Sequence, residues 1–131
     1  MLRISFACYA LFLFVSCAPP PTTEAVRAYN RERLGYLSVG MPKSEVLRVM
    51  GNKTFVTFEG WVVNNPYRTE VRQDDNGTVM EVLYYYTDVR SRDDAVSEDE
   101  LTPIILVNDK VIGWGWTFFN DKVQKQQIQL R

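Results

Sequence analysis

The sequence predicts an α+β fold in which two short N-terminal helices pack on one face of a small antiparallel β-sheet. Three observations lead there. Helix formers with apolar residues near helical spacing are confined to residues 24–51, and β-branched and aromatic runs dominate from there on. Those runs are separated by Asn64-Asn65-Pro66, Asn76-Gly77 and Asn108-Asp109, turn signals at hairpin spacing. Finally, 131 residues with 46% hydrophobic content suffice for one domain whose core needs no staple or metal, so repeats and tandem domains are not expected.

In chain order, residues 1–16 read MLRISFACYALFLFVS, with one Arg near the start and no charge from Ile4 to Val15. This is a secretory signal pattern, and the run is shorter than the ~20 residues a membrane-spanning helix needs. The competing reading, a buried first strand or helix, fits poorly with the proline run that follows. Leu13-Phe14-Val15-Ser16-Cys17 resembles the bacterial lipobox, which implies cleavage before Cys17 and acylation of its thiol and new amine. The alternative is an ordinary signal that leaves Cys17 a free thiol. Cys8 would leave with the signal in either case. Ala18, in place of the Asp that retains enterobacterial lipoproteins at the inner membrane, implies outer-membrane delivery and a periplasm-facing domain. Residues 17–23 then form a lipidated Cys and a stiff Pro/Thr spacer that holds the folded part off the lipid.

The folded domain is expected over residues 24–121. EAVRAYNRERL predicts a helix over 24–34, broken at Gly35. Gly40 to Gly51 predicts a second, with Pro42 near its start, Val46, Leu47 and Met50 buried, and Gly51 as a left-handed cap. Lys53 to Val63 reads as a strand with a break at Gly60, Tyr67 to Gln73 as a second, and Thr78 to Asp88 as a third. Asp88 to Glu100 carries six acids against Arg90 and Arg92 and reads as a solvated loop; it lacks the ligand spacing and central glycine of a calcium loop. Thr102 to Val107 and Lys110 to Asn120 read as a last hairpin, and residues 122–131 as a polar tail. Alternation puts Ile112, Trp114, Trp116 and Phe118 on one face of the last strand and leaves Val111, Gly113, Gly115 and Thr117 on an almost bare one. Two helices cover only one sheet face, so an apolar patch is expected on the other.

Composition narrows the function. A net charge of -1 and a pI near 5.5 provide no footprint for nucleic acid. The absence of histidine excludes His-based triads and His-rich metal sites. The serines have no activating base, and Glu70 and Glu81, the one candidate carboxylate pair, are expected to face solvent or to pair with Arg68 and Arg72 instead. No catalysis, metal or cofactor is therefore expected.

The stretch Val39-Gly40-Met41-Pro42-Lys43-Ser44-Glu45-Val46-Leu47-Arg48-Val49-Met50-Gly51 resembles the glycine-methionine helix of the SmpA/OmlA, or BamE-like, outer-membrane lipoproteins. The lipobox and succeeding hairpins fit that layout. Asn65 to Glu70, Glu81 to Thr87, Leu101-Thr102-Pro103 and Val111 to Gly115 are similar to a related group of uncharacterised proteobacterial lipoproteins. Pro42, Met50 and Asn52-Lys53 depart from the BamE pattern at its cap, its last leucine and its Thr-Pro. The resemblance implies a non-catalytic scaffold in envelope or outer-membrane assembly or maintenance, with an envelope protein partner for which the β-barrel assembly machinery is one candidate. Leu83, Tyr85, Trp61 and Arg68 are the expected interaction residues. Two alternatives stand beside it: an inhibitor or sensor of a periplasmic enzyme, and a small-ligand binder using Trp61, Trp114 or Trp116 as stacking platforms.

Overall fold

The computed structural model describes residues 17–73, 75–91, 93 and 95–129, so the signal expected over 1–16 lies outside the described residues. The fold is α+β, and its first two helices lie where the sequence predicts. Helix α1 spans Thr23–Leu34 because Thr22 caps it, its hydroxyl accepting the Ala25 N–H at 3.1 Å, and Glu24 in the first turn answers Arg27 and Arg31. It ends at Gly35, whose φ of -67° makes no use of glycine's left-handed freedom. Helix α2, Lys43–Met50, starts after Pro42 and ends at Gly51, where φ is 89° and a side chain would strain the backbone. Val46, Val49 and Met50 are its buried residues; Leu47 is only half-buried, so the expected face is rotated slightly.

The run expected as one strand from Lys53 to Val63 is two. Strands β1, Thr54–Val56, and β2, Val62–Asn64, pair antiparallel as a separate hairpin, because Gly60 at φ 85° turns the chain inside it. The main sheet has the order β3-β4-β5-β6, all antiparallel, with β3 Arg68–Gln73, β4 Val79–Tyr86, β5 Leu101–Val107 and β6 Lys110–Trp114. Asn108 and Asp109, at φ 48° and 68°, form the β5–β6 turn, the positive-φ pair whose twist suits a two-residue hairpin. The outer edge of β6 is covered by the chain entering α2. Gly40 N–H donates to the Val111 carbonyl at 2.7 Å, and Val111 N–H donates to Met41 at 2.9 Å.

Two expectations fail at the C-terminal end. The strand expected to run to Asn120 stops at Trp114: Gly115, at φ 89°, turns the chain into a third helix, α3, Trp116–Gln129. Trp116 and Phe118 are therefore helical and do not continue the strand face of Trp114. The polar tail expected over 122–131 is helical as far as it is described.

The third helix also changes which surface is free. Leu83, Tyr85, Ile104, Leu106 and Val111 form one core layer beneath Val46, Val49 and Met50 of α2. On the opposite face Val82, Tyr84, Tyr86 and Ile105 are closed over by Val26 of α1, Val63 of β2 and Phe119 of α3. The faces expected along the last strand are divided by a register shift opposite Ile105 and Leu106, which puts Val111 and Trp114 in the layer under α2 and Ile112 in the other, and α3 approaches at Gly113. A Cβ on Gly113 would come within 2.6 Å of the Phe118 ring, so only glycine lets that ring lie on β6. Both faces of the central strands are buried, and the open apolar sheet face expected from two helices does not exist.

Candidate functional site

Leu83 and Tyr85, expected on a docking face, are 1% and 0% exposed. Alternation was read correctly, but it put them under α2 and not opposite it. The Tyr85 hydroxyl donates to the Gly51 carbonyl at 3.1 Å, and burial, with Tyr29 nearby, pushes its pKa far above the ordinary tyrosine range. They are core residues and are withdrawn from the interaction set.

Arg68 remains at the surface, half-buried on the edge strand β3. Its guanidinium lies 4.3 Å from the Tyr84 ring centroid and pairs with Glu98 at 2.8 Å and Glu70 at 3.2 Å. Both roles expected of it, stacking on a ring and holding a carboxylate, are thus filled from within the chain. Glu70 and Glu81 form no carboxylate pair: Val71 stands opposite Glu81 in the register, which places the two acids on opposite faces. Glu70 meets Arg68 and Arg72, as the sequence suggested, and Glu81 meets Lys43 at 2.7 Å. The tryptophans make poor stacking platforms. Trp116 donates its indole N–H to the Leu101 carbonyl at 2.7 Å and packs edge-on to Phe119, and Trp114 joins the core under α2.

Two buried polar clusters hold the scaffold. Asn30 and Asn65 exchange amide hydrogen bonds at 3.1 and 2.7 Å, while their donors also reach the carbonyls of Tyr86 and Met50. This single contact ties α1, the end of α2, the β2–β3 link and β4 together.

The second corrects the reading of residues 88–100 as wholly solvated. Glu100 is buried at the end of that loop, and its carboxylate accepts the backbone N–H groups of Arg90 at 2.6 Å, Ser97 at 3.0 Å and Ser91 at 3.2 Å. Burial works to raise its pKa, yet those three donors outweigh it and hold the carboxyl below the ordinary 4.5. A depressed acid contributes stability that is complete above the unfolded pKa and lost as pH falls through the folded one. Glu100→Gln, which loses an acceptor facing Ser97 or Arg90, is expected to cost about 1.5–3 kcal/mol near neutral pH. The gap to the wild type should shrink below pH 4.5, a comparison that thermal melts across pH will make.

The remaining features lie at the start of the domain. Cys17 is exposed. The seven-residue spacer expected over 17–23 is effectively shorter, because the Pro21 carbonyl accepts the Phe58 N–H at 2.9 Å and Thr23 donates its N–H and hydroxyl to the Glu59 carboxylate, each at 3.0 Å. The β1–β2 hairpin therefore clasps the chain four residues after Cys17. Its outward face carries an apolar group towards the tip: Val56 and Val62, paired in register, are 61% and 62% exposed, and Phe58 at the tip is 76% exposed, while the outward pair at the base, Thr54 and Asn64, is polar and hydrogen-bonded at 2.8 Å. Trp61 is half-buried on the inward side of the same hairpin. The sequence reading missed this surface by joining β1 and β2 into one strand. The signal was Glu59-Gly60, a polar, glycine-bearing break between two alternating runs.

Residues 21–121 match a family described as a protein of unknown function, DUF3192. The chain belongs to the DUF3192 family. The match begins at Pro21, the residue clasped by the hairpin, and ends inside α3, so the domain common to DUF3192 members includes the third helix's start. No curated protein and no solved structure matches the chain.

Other sites are modest. A shallow cleft of about 280 Å³ between the end of α1 and α2 is lined by Arg33, Tyr36, Met41, Glu45, Arg48 and Val49. Among the described residues, no group of three or more His, Cys, Asp or Glu side chains is placed to hold a metal ion, and no helix is long and apolar enough to cross a membrane.

Proposed function

We propose that this DUF3192 chain is a lipoprotein anchored in the outer membrane through Cys17, facing the periplasm, and acting as a non-catalytic docking module or scaffold in envelope assembly or maintenance. The observation that carries the reading is the placement of Cys17: it is exposed, ahead of Pro19-Pro20-Pro21, and separated from the first clasped residue by a short extended spacer. Acyl chains attached there leave the protein surface without disturbing any packed element. At about 0.8 kcal/mol per buried CH₂, two or three such chains hold the protein on the bilayer lastingly.

The docking role rests on the SmpA/OmlA resemblance of Gly40 to Gly51 and on the state of the ionisable side chains around the sheet. Arg68, Glu70, Arg72 and Glu98 are engaged with one another, as are Lys43 and Glu81. Such an arrangement suits a structural surface better than proton transfer. The partner is an envelope protein, with the β-barrel assembly machinery the first candidate.

Cys17→Ser is expected to move the protein from the membrane fraction to the soluble one or to stall it as precursor. Intact-mass spectrometry of the membrane-extracted protein should give a chain beginning at acylated Cys17; an unmodified chain starting downstream refutes the anchor. Affinity capture from detergent-solubilised envelopes tests the docking role, with the half-buried Trp61→Ala and Arg68→Ala as variants whose folding circular dichroism checks first. Recovery of no envelope protein by the acylated wild type would overturn it.

A further inference from the structure

We propose that the tip of the β1–β2 hairpin seats in the lipid headgroup region beside the anchor, with Phe58, Val56 and Val62 as the side chains that contact the membrane. The inference rests on Cys17 being attached to lipid and adds a second, noncovalent contact that orients the domain.

The argument starts from alternation. Phe55 and Val63 turn inward to the core, which forces their neighbours Val56 and Val62 outward on adjacent strands. Phe58 extends this surface at the tip. An exposed phenylalanine beside two exposed valines on one small hairpin is a contiguous apolar surface of the kind that marks a protein or membrane contact.

What covers it follows from the tether. Phe58 is hydrogen-bonded to Pro21, and Glu59 to Thr23, so the tip is fixed to the start of the domain. From Cys17 to Pro21 is four residues, which span at most about 14 Å even when fully extended. A lipid attached at Cys17 keeps the bilayer within that distance of Phe58 at all times. A second copy of the chain or a soluble protein would meet the patch only by diffusional encounter. The bilayer is therefore the one apolar partner that the covalent structure itself supplies.

The depth is shallow. The Glu59 carboxylate stands at the same tip, and Lys53 at the hairpin base lies over the Phe55 ring at 4.9 Å. These charges stop at the headgroups while the apolar side chains reach past them, as interfacial elements do to about 5–10 Å.

The test uses the mature chain from Cys17, whose single thiol is coupled to a maleimide-headgroup lipid in phosphatidylcholine vesicles. Attachment then does not depend on acylation in the cell, which mass spectrometry of the cellular protein addresses separately. Phe58→Trp is the reporter and Val39→Trp the control, each read as the difference from the parent chain, whose Trp61, Trp114 and Trp116 contribute the same background to both. Val39 is 70% exposed but lies beyond the far end of α1, whose 12 residues put it about 18 Å along from the clasped end. With acyl-chain-brominated phosphatidylcholine, Phe58→Trp is expected to show a blue shift and a loss of emission that Val39→Trp lacks. Adding Val56→Ser and Val62→Ser should abolish the difference while circular dichroism stays unchanged. Equal quenching at both positions, or none at either, overturns the proposal. Burial of the Phe58→Trp reporter without vesicles, accompanied by dimer formation in sedimentation, assigns the patch to a second copy and overturns it as well.

Discussion

Val46→Asp is expected to leave no cooperatively folded domain at room temperature. Val46 is fully buried in α2, against a layer that includes Leu83, Ile104 and Leu106. An ionised carboxylate there loses its hydration and finds no cation, since Lys43, one turn earlier, is held by Glu81 on the sheet. Burying an unpaired charge belongs to the small class of substitutions that cost more than about 4–5 kcal/mol, against a total stability of about 5–15 kcal/mol for domains of this kind. Val46→Ala, which only opens a small cavity, should cost about 1–3 kcal/mol and remain folded. Urea denaturation followed by circular dichroism separates the two. An unchanged midpoint for the Asp variant would mean that α2 is peripheral to the core.

Tyr85→Ala is expected to destabilise by about 3–5 kcal/mol, the cost of removing a buried aromatic ring. Tyr85→Phe keeps the ring and removes only the hydroxyl that satisfies the Gly51 carbonyl, for about 1–2 kcal/mol. The pair decides between two roles for this residue. A docking residue would lose partner recovery with its melting temperature intact, whereas a core residue loses stability in proportion to the volume removed. A Tyr85→Ala protein that melts like the wild type but recovers no partner would restore the surface role that burial argues against.

The elements of the first half were legible because their signals are local. The helix formers from Glu24 announce α1, though not its Thr22 cap; Pro42 and Gly51 bracket α2; Asn108-Asp109 makes a turn whatever surrounds it. Errors gathered where two readings share one local pattern. Lys53 to Val63 is β-rich throughout, and only the conformation at Gly60 divides it into a hairpin. Trp114-Gly115-Trp116 alternates like a strand, yet the Gly115 N–H bonds to the Pro103 carbonyl and Phe119 N–H to Gly115, which starts a helix there. Glu100 was grouped with five other acids by composition, although three backbone donors several residues away single it out.

The candidate site divides in the same way. Cys17 and its spacer are properties of a linear motif and were readable as such. Arg68 was readable as a group that stacks and pairs, but not that Tyr84, Glu70 and Glu98 already engage it, with its Nε left buried and without a partner. The hairpin clasp on Pro21 joins residues 37 positions apart, and no spacing in the sequence records it.

By itself the sequence determined the α+β class, the two N-terminal helices, the antiparallel pairing of the later strands, and which side chains of β4 share a face; on β6 a register shift places Ile112 and Trp114, expected on one face, in opposite core layers. Tertiary structure alone decided what lies over those faces. Periodicity is set by backbone geometry within a few residues, so it reports that Leu83 and Tyr85 point one way and Val82 and Tyr84 the other. Covering depends on where a distant element finds room to approach. Here the glycine at position 113 makes that room, Phe118 occupies it, and α3 joins Val26 of α1 and Val63 of β2 in closing the face that was expected to stay open.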